Sequence, residues 1–189
     1  MIDLARLSER LRARTRATWK LDGFRDSAVL VPIVVEADAP PRLLFIVRDG
    51  GLRAHAGQVA FPGGARDARD DFPSGTALRE AQEELALPPS RATILGALDD
   101  VPTPTGFVIT PVVARVDGPL ALAPSPSEVA ATFLAEVARL RDGHSQDGDR
   151  EFLGVRYEMH RFQWQKWQIW GATARIVHQL LGLLDGEDE

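Results

Sequence analysis

The sequence predicts an α/β fold, with strands and helices in stacked layers around one core. Three observations carry this. Short apolar runs rich in β-branched residues alternate along the chain with segments of helical periodicity, and clusters of Pro and Gly separate them. The chain's 189 residues, 44% of them hydrophobic, suffice for one domain but are short for two. Residues 1–189 are therefore read as one domain, with 1–24 as a helical N-terminal extension and 185–189 as a frayed acidic tail.

The elements follow in order. Leu4, Leu7 and Leu11 recur at helical spacing among Arg6, Arg10, Arg12 and Arg14, which predicts an amphipathic helix with a solvated basic face. Its apolar stripe is a candidate homodimer surface. Asp3 and Glu9 interrupt the arginines and no long apolar stretch follows, so this segment reads as a helix of the mature protein rather than a leader. Residues 28–35 and 43–47 read as two buried strands separated by the breaker Ala39-Pro40-Pro41, and Gly50-Gly51 ends the second. Residues 59–64 predict a short strand stopped by the Pro62-Gly63-Gly64 turn, with a polar loop over 65–72.

After Pro73, with Ser74 as candidate N-cap, residues 76–87 contain strong helix formers and no Gly or Pro, until Pro88-Pro89 forces a stop. Further strands are expected at 93–98, at 107–116 and within 152–170. Helices are expected at 128–141 and 172–184, and 142–150 reads as a polar surface loop.

Composition excludes several classes of function. With 22 Lys plus Arg against 27 Asp plus Glu, the net charge of -5 argues against a broad footprint for duplex nucleic acid. The absence of Cys excludes a disulfide scaffold, a thiolate nucleophile and a Cys-ligated zinc, and fits a cytoplasmic location. No apolar run approaches the roughly 18 residues that a membrane span needs.

Chemistry concentrates on the helix over 76–87. At about 100° per residue, Ala77, Leu78, Ala81 and Leu85 fall in one core-facing arc, while Glu80, Glu83 and Glu84 share a second, with Glu84 bordering the core stripe. Carboxylates three or four apart repel, each pair costing a helix roughly 0.2–0.5 kcal/mol, and only Arg79 offsets this locally. A solvated acidic face is one reading. A hard divalent cation bound by oxygen ligands also explains why a strand and a Pro-Gly-Gly turn lie just upstream, where they can bring a backbone carbonyl to the same place.

These residues resemble the signature of the Nudix hydrolases: Gly64, five residues, Asp70, eight residues, then Arg79-Glu80, Ala81, Gln82, Glu83-Glu84, Leu85, Ala86, Leu87. The chain departs from the strict pattern in having Asp70 for Glu, a spacer one residue longer, Ala81 at an aliphatic position and Ala86 for Gly. The resemblance implies an α/β/α sandwich with a mixed β-sheet between helices. It also implies Mg2+, with Mn2+ as substitute, held by Glu80, Glu83, Glu84 and the carbonyl of Gly64, and Arg79 orienting a carboxylate with Asp70 as its partner. Glu80 or a later carboxylate would take the proton of the attacking water.

A second resemblance lies outside that box. Arg48, Leu52, His55, Gly57, Phe61, Pro62, Gly63 and Gly64 are similar to the segment preceding the box in the coenzyme A pyrophosphatase branch. Asp67, the stretch 103–111 and Ile169-Trp170-Gly171-Ala172-Thr173-Ala174 are also like that branch, although Ala172 stands where Met is commoner. The activity implied is hydrolysis of the pyrophosphate bond of coenzyme A or its derivatives, with Asp67 and Asp70 supporting the box. The alternatives are a Nudix hydrolase of another nucleoside diphosphate derivative, such as ADP-ribose or a nucleoside triphosphate, and a nucleotide sensor that does not cut.

Other residues keep two readings. Glu128 is a candidate further acid, or a first-turn glutamate favoured by a helix dipole. Asp99 and Asp100 are weaker candidates for that acid. Arg48, Arg53, His55 and Gly63 are candidate substrate-binding residues, with Arg53 also readable as an exposed loop residue and His55 as a structural one. Trp164, Trp167 and Trp170 read as packing, and Arg150, Arg156, His160, Arg161 and Lys166 as a solvated strand face.

Overall fold

A computed structural model describes residues 2–50 and 57–186 of the chain. Its centre is β1 (Arg25–Glu36), an apolar run that pairs parallel to β7 (Phe107–Asp117) on one edge. On its other edge β1 pairs antiparallel with β2 (Ala39–Arg48) near its C-terminal end and with β4 (Gly63–Ala65) near its start. Strand β7 repeats this arrangement, taking β5 (Ala92–Ala97) along residues 112–116 and β6 (Val101–Thr103) along 107–109. Two further strands, β3 (Val59–Ala60) and β8 (Val129–Glu136), pair with β2, so the sheet is mixed.

Side chains alternate across such a sheet, and both faces here are covered, which is why the strands read as near-continuous apolar runs. Leu30, Val34, Leu44 and Ile46 point to one face, where Ala77, Ala81 and Leu85 of α2 (Ser74–Leu85) close over them. Val31, Ile33, Leu43 and Phe45 point to the other. There they meet Leu7 and Leu11 of α1 (Leu4–Ala13) and Val177 and Leu180 of α4 (Gly171–Asp185). A separate three-stranded sheet, β9 (His144–Phe152), β10 (Val155–Trp164) and β11 (Trp167–Trp170), adds Phe162 and Ile169 to that second core. The architecture is thus a mixed sheet between helices, as the sequence predicts.

Several elements differ from expectation for identifiable reasons. Ala39-Pro40-Pro41 lies inside β2 instead of breaking it, since both prolines sit beside a register shift at the strand's start where ladder donors are dispensable. Residues 63–65 do not stop a strand but form β4 on β1. Segment 129–136 is a strand, not a helix: the open edge of β2 offers it seven ladder residues, which outweighs the helix preference of its Ala and Glu. Beyond it come the four-residue α3 (Val137–Leu140) and a single 3-10 turn, Arg141–Gly143. The expected loop 142–150 falls largely in β9, an exposed polar strand held by pairing with β10 rather than by burial.

Helix α2 begins at Ser74, with Pro73 as its N-cap. It ends at Leu85, before the prolines, because Ala86 turns left-handed at φ 54 and donates its N–H to the Gln82 carbonyl, while the Leu87 N–H reaches back to Ala81. The basic face of α1 is not merely solvated. Arg10 donates to the Leu183 carbonyl, Arg14 pairs with Asp99 at 2.6 Å, and beyond the helix Arg16 pairs with Asp100. Leu7 and Leu11 are buried in the chain's own core, so the stripe offered to a second copy is already covered. Asp185 is not frayed, for it ends α4 paired with Arg141 at 2.6 Å. Trp164 and Trp167 pack against the core, whereas Trp170 is 46% exposed. Among the described residues no helix is long and apolar enough to cross a membrane.

Candidate active site on α2 and β4

The second turn of α2 faces β4. Glu84, which borders the core stripe by its angular position, is 4% exposed, and its Oε2 accepts the Gly63 N–H at 3.0 Å. Gly64 stands against Glu80 so closely that a Cβ added there would lie 2.5 Å from the Glu80 carboxyl group. The backbone of β4 therefore presses on both carboxylates, and any side chain at 64 would displace the Glu80 carboxyl. Glu83 points outward, its side chain 57% exposed.

Arg79 joins these parts. Its Nε and Nη2 donate to Asp70 at 3.1 Å each, Nη2 also reaches the Ala65 carbonyl at 3.0 Å, and Nη1 pairs with Glu80 at 2.8 Å and Glu83 at 3.0 Å. One guanidinium thus ties α2 to β4 and to the loop between them, using the planar fork that suits Arg to carboxylates. Asp70 also accepts the Thr76 hydroxyl at 2.8 Å and the Asp67 N–H at 2.9 Å. The Arg79 guanidinium, foremost among these donors, holds the Asp70 carboxyl well below the usual range, and Asp70 in turn raises Arg79. The longer spacer leaves this pair intact. Asp67 anchors the same loop through Arg69, whose bonds lower its carboxyl.

The electrostatics of the two inner carboxylates run the other way. Burial pushes the Glu84 carboxyl up to about 7, opposed by the Gly63 N–H and Arg48 and aided by the charges of Glu80 and Glu128. Burial likewise raises Glu80, against the pull of Arg79 and with the push of Glu83 and Glu128. Like charges are being held together out of water, a state a divalent cation relieves. The donors are all oxygen, which suits a hard ion such as Mg2+. By donor chemistry and by the close backbone at Gly64, the residues fit such an ion.

The structure brings together Arg48, Gly63, Gly64, Asp67, Asp70, Arg79, Glu80, Glu83, Glu84 and Glu128. Glu128 immediately precedes β8 rather than starting a helix, and its charge reaches both inner carboxylates. Arg48 ends β2, and its Nε is buried without a hydrogen-bond partner among the described residues. Arg53 and His55 lie outside the described residues. Asp99 and Asp100 are committed elsewhere: Asp99 to Arg14, and Asp100 to Arg16 and to the Trp19 N–H and Thr110 hydroxyl. Sequence reasoning missed Thr76 and the Ala65 carbonyl. A hydroxyl on the first turn of a helix and a backbone acceptor carry no signal of their own in a sequence.

Comparison with known proteins shows what the chain is similar to. A family model described as the NUDIX domain matches residues 24–180. A protein of Cronobacter sakazakii described as "Uncharacterized Nudix hydrolase NudL" is 44% identical over 159 residues, 82% of this chain and 81% of its own. A protein of Photorhabdus laumondii with the same description is 40% identical over 162 residues, 84% of each chain. Among solved structures, the Nudix hydrolase RenU of M. Smegmatis superposes with a TM-score of 0.54 at 25% identity, covering 65% of this chain and 76% of RenU.

Proposed function

The chain belongs to the Nudix family, and from that premise we propose that it hydrolyses the pyrophosphate bond of coenzyme A or its derivatives. The products are 4'-phosphopantetheine, or its acyl form, and adenosine 3',5'-bisphosphate. The observation that carries the hydrolytic reading is the pair of carboxylates, half-buried Glu80 and buried Glu84, held against the backbone of Gly63 and Gly64. Mg2+, or Mn2+ in its place, would be held by Glu80, Glu84, the Gly64 carbonyl and, from the rim, Glu83. Such an ion neutralises phosphoryl oxygens and makes a water nucleophilic near neutral pH.

The chain's own residues do the rest. Water adds its oxygen to one phosphorus, the bond from that phosphorus to the bridging oxygen breaks, and the water's proton passes to a carboxylate. Glu80, Glu83 and Glu128 are the candidates for that role, Glu128 standing just before β8 with its charge felt by Glu80 and Glu84. Arg79 touches no substrate in this scheme. It fixes the carboxylates of Glu80 and Glu83 while Asp70 fixes Arg79. Keeping this strained cluster has no purpose in a sensor that does not cut, which favours an enzyme.

The coenzyme A assignment rests on the pattern from Leu43 to Gly64. Arg48 supports it, since a half-buried arginine beside the acidic cluster whose Nε has no partner among the described residues suits a phosphate of the substrate. Arg53, His55 and the backbone of Gly63 complete the proposed binding set. Initial rates on equal concentrations of coenzyme A, dephospho-coenzyme A and ADP-ribose, each with Mg2+, test it. Coenzyme A is expected to be fastest, with the deficit of dephospho-coenzyme A reporting the 3'-phosphate. Were coenzyme A the slowest of the three, the substrate assignment would fail while the hydrolytic site stood.

A further inference from the structure

Three of the chain's four histidines meet far from α2. His144 comes from β9, His160 from β10 and His178 from α4, and one ring nitrogen of each lies within 4.8 Å of the others. They stand on the opposite layer of the sheet from α2: His144 stacks on Phe162, a member of the core that contains α4, with ring centroids 4.7 Å apart. A surface cavity opens beside them, lined also by Arg141 and Asp185. We propose that His144, His160 and His178 bind one divalent transition-metal ion of the borderline class typified by zinc.

The chemistry favours ligation over a charged cluster. His144 Nε2 and His160 Nδ1 share a hydrogen bond at 3.2 Å, so one of the two rings must present a bare nitrogen, the form that ligates a metal. His160 is 8% exposed, and burial, together with the neighbouring His178, His144 and Arg175, holds its imidazole down to about 4. Its neighbour His144 is lowered as well, again chiefly by burial. Three imidazoles on two strands and a helix are a donor set for Zn2+, Cu2+ or Ni2+, whereas Mg2+ selects oxygen.

The geometry is near what ligation needs. Tetrahedral zinc at about 2.0–2.1 Å from each nitrogen separates its ligands by roughly 3.4 Å. The 3.2 Å pair is at that spacing already. His160 and His178 lie stacked with centroids 3.7 Å apart, so one of those rings must turn out of the stack to bring the third nitrogen in. Asp185, on the cavity wall, is paired with Arg141 at 2.6 Å and stands outside the histidine cluster, which leaves the fourth position to a solvent ligand. A bound ion would staple the β9–β10 hairpin, exposed along most of β9, to α4.

The test uses the full chain stripped with EDTA and then held in millimolar Mg2+, so that the oxygen-ligand site is saturated. Titration with Zn2+ by calorimetry, and with Co2+ by its visible d–d bands, is expected to show one equivalent. Saturation should raise Tm by roughly 5–10 °C at a hundredfold excess over Kd. His144→Ala, at an exposed position that leaves the fold unchanged in EDTA, and His178→Gln should each weaken Zn2+ at least about tenfold. Glu80→Gln with Glu84→Gln should leave it unchanged. The proposal is overturned if the wild type takes up no Zn2+ above Mg2+, if both histidine variants bind it as the wild type does, or if the glutamate variant loses it.

Discussion

Replacing Gly64 by Ala isolates the packing of β4 against the acidic face of α2. The backbone at 64 lies outside the left-handed region, so alanine adopts it without strain and only space is at issue. The new methyl would stand 2.5 Å from the Glu80 carboxyl, about 1 Å closer than an ordinary contact allows. The carboxylate, being the end of a flexible side chain, is what must move, and it takes its bond to Arg79 with it. A displacement of about 1 Å in a catalytic constellation costs on the order of a hundredfold in rate, or about 2.7 kcal/mol of transition-state stabilisation. The expected result for coenzyme A hydrolysis in Mg2+ is therefore a kcat lowered about a hundredfold, with KM much less affected and the fold intact by circular dichroism. A Gly64→Ala enzyme within threefold of the wild-type kcat would refute the claim that β4 positions Glu80.

Three other variants probe separate parts of the account. Arg79→Lys keeps the charge but loses the fork that spans Asp70, Ala65, Glu80 and Glu83, and should lower kcat/KM by about 10–100-fold in steady-state assays with Mg2+. Glu128→Gln should reduce kcat at least about tenfold if its carboxylate shares the proton transfer, and an unchanged kcat would leave it a residue of the β8 entry alone. Leu7→Ala, at a position 1% exposed, should cost about 2–5 kcal/mol and lower Tm by roughly 5–15 °C in thermal unfolding. Its kcat should be unchanged below Tm, because α1 packs on the sheet face away from α2.

The parts of the fold written as local pattern were legible. The apolar runs of β1, β2 and β7 and the stripe of α2 are periodic signals, and Glu84's place beside that stripe foretold its burial. What failed depended on partners far along the chain. Residues 129–136 contain Ala, Leu and Glu and read as helix, yet β2 recruits them as an edge strand. β9 is polar along nearly its whole length, and only its pairing with β10 makes it a strand. The same blindness hid the His160 cluster, for residues 144, 160 and 178 have no mutual spacing that a motif would record. At the candidate site the helix itself carried the information, because Arg79, Glu80, Glu83 and Glu84 are adjacent in sequence. Thr76 and the Ala65 carbonyl, which complete the bonds around Asp70 and Arg79, were invisible until the loop was folded.

The central claim is that the inner carboxylates of α2, Glu80 and Glu84, make this chain a metal-dependent pyrophosphohydrolase, and Glu84→Gln tests it most directly. Glutamine has nearly the same shape and keeps an oxygen to accept the Gly63 N–H, so the β4 contact survives while the buried charge is removed. Release of adenosine 3',5'-bisphosphate from coenzyme A in Mg2+ is the measurement, made on wild type and variant of equal fold. The account predicts turnover by the wild type and none by Glu84→Gln; turnover at the wild-type rate in the variant would contradict it.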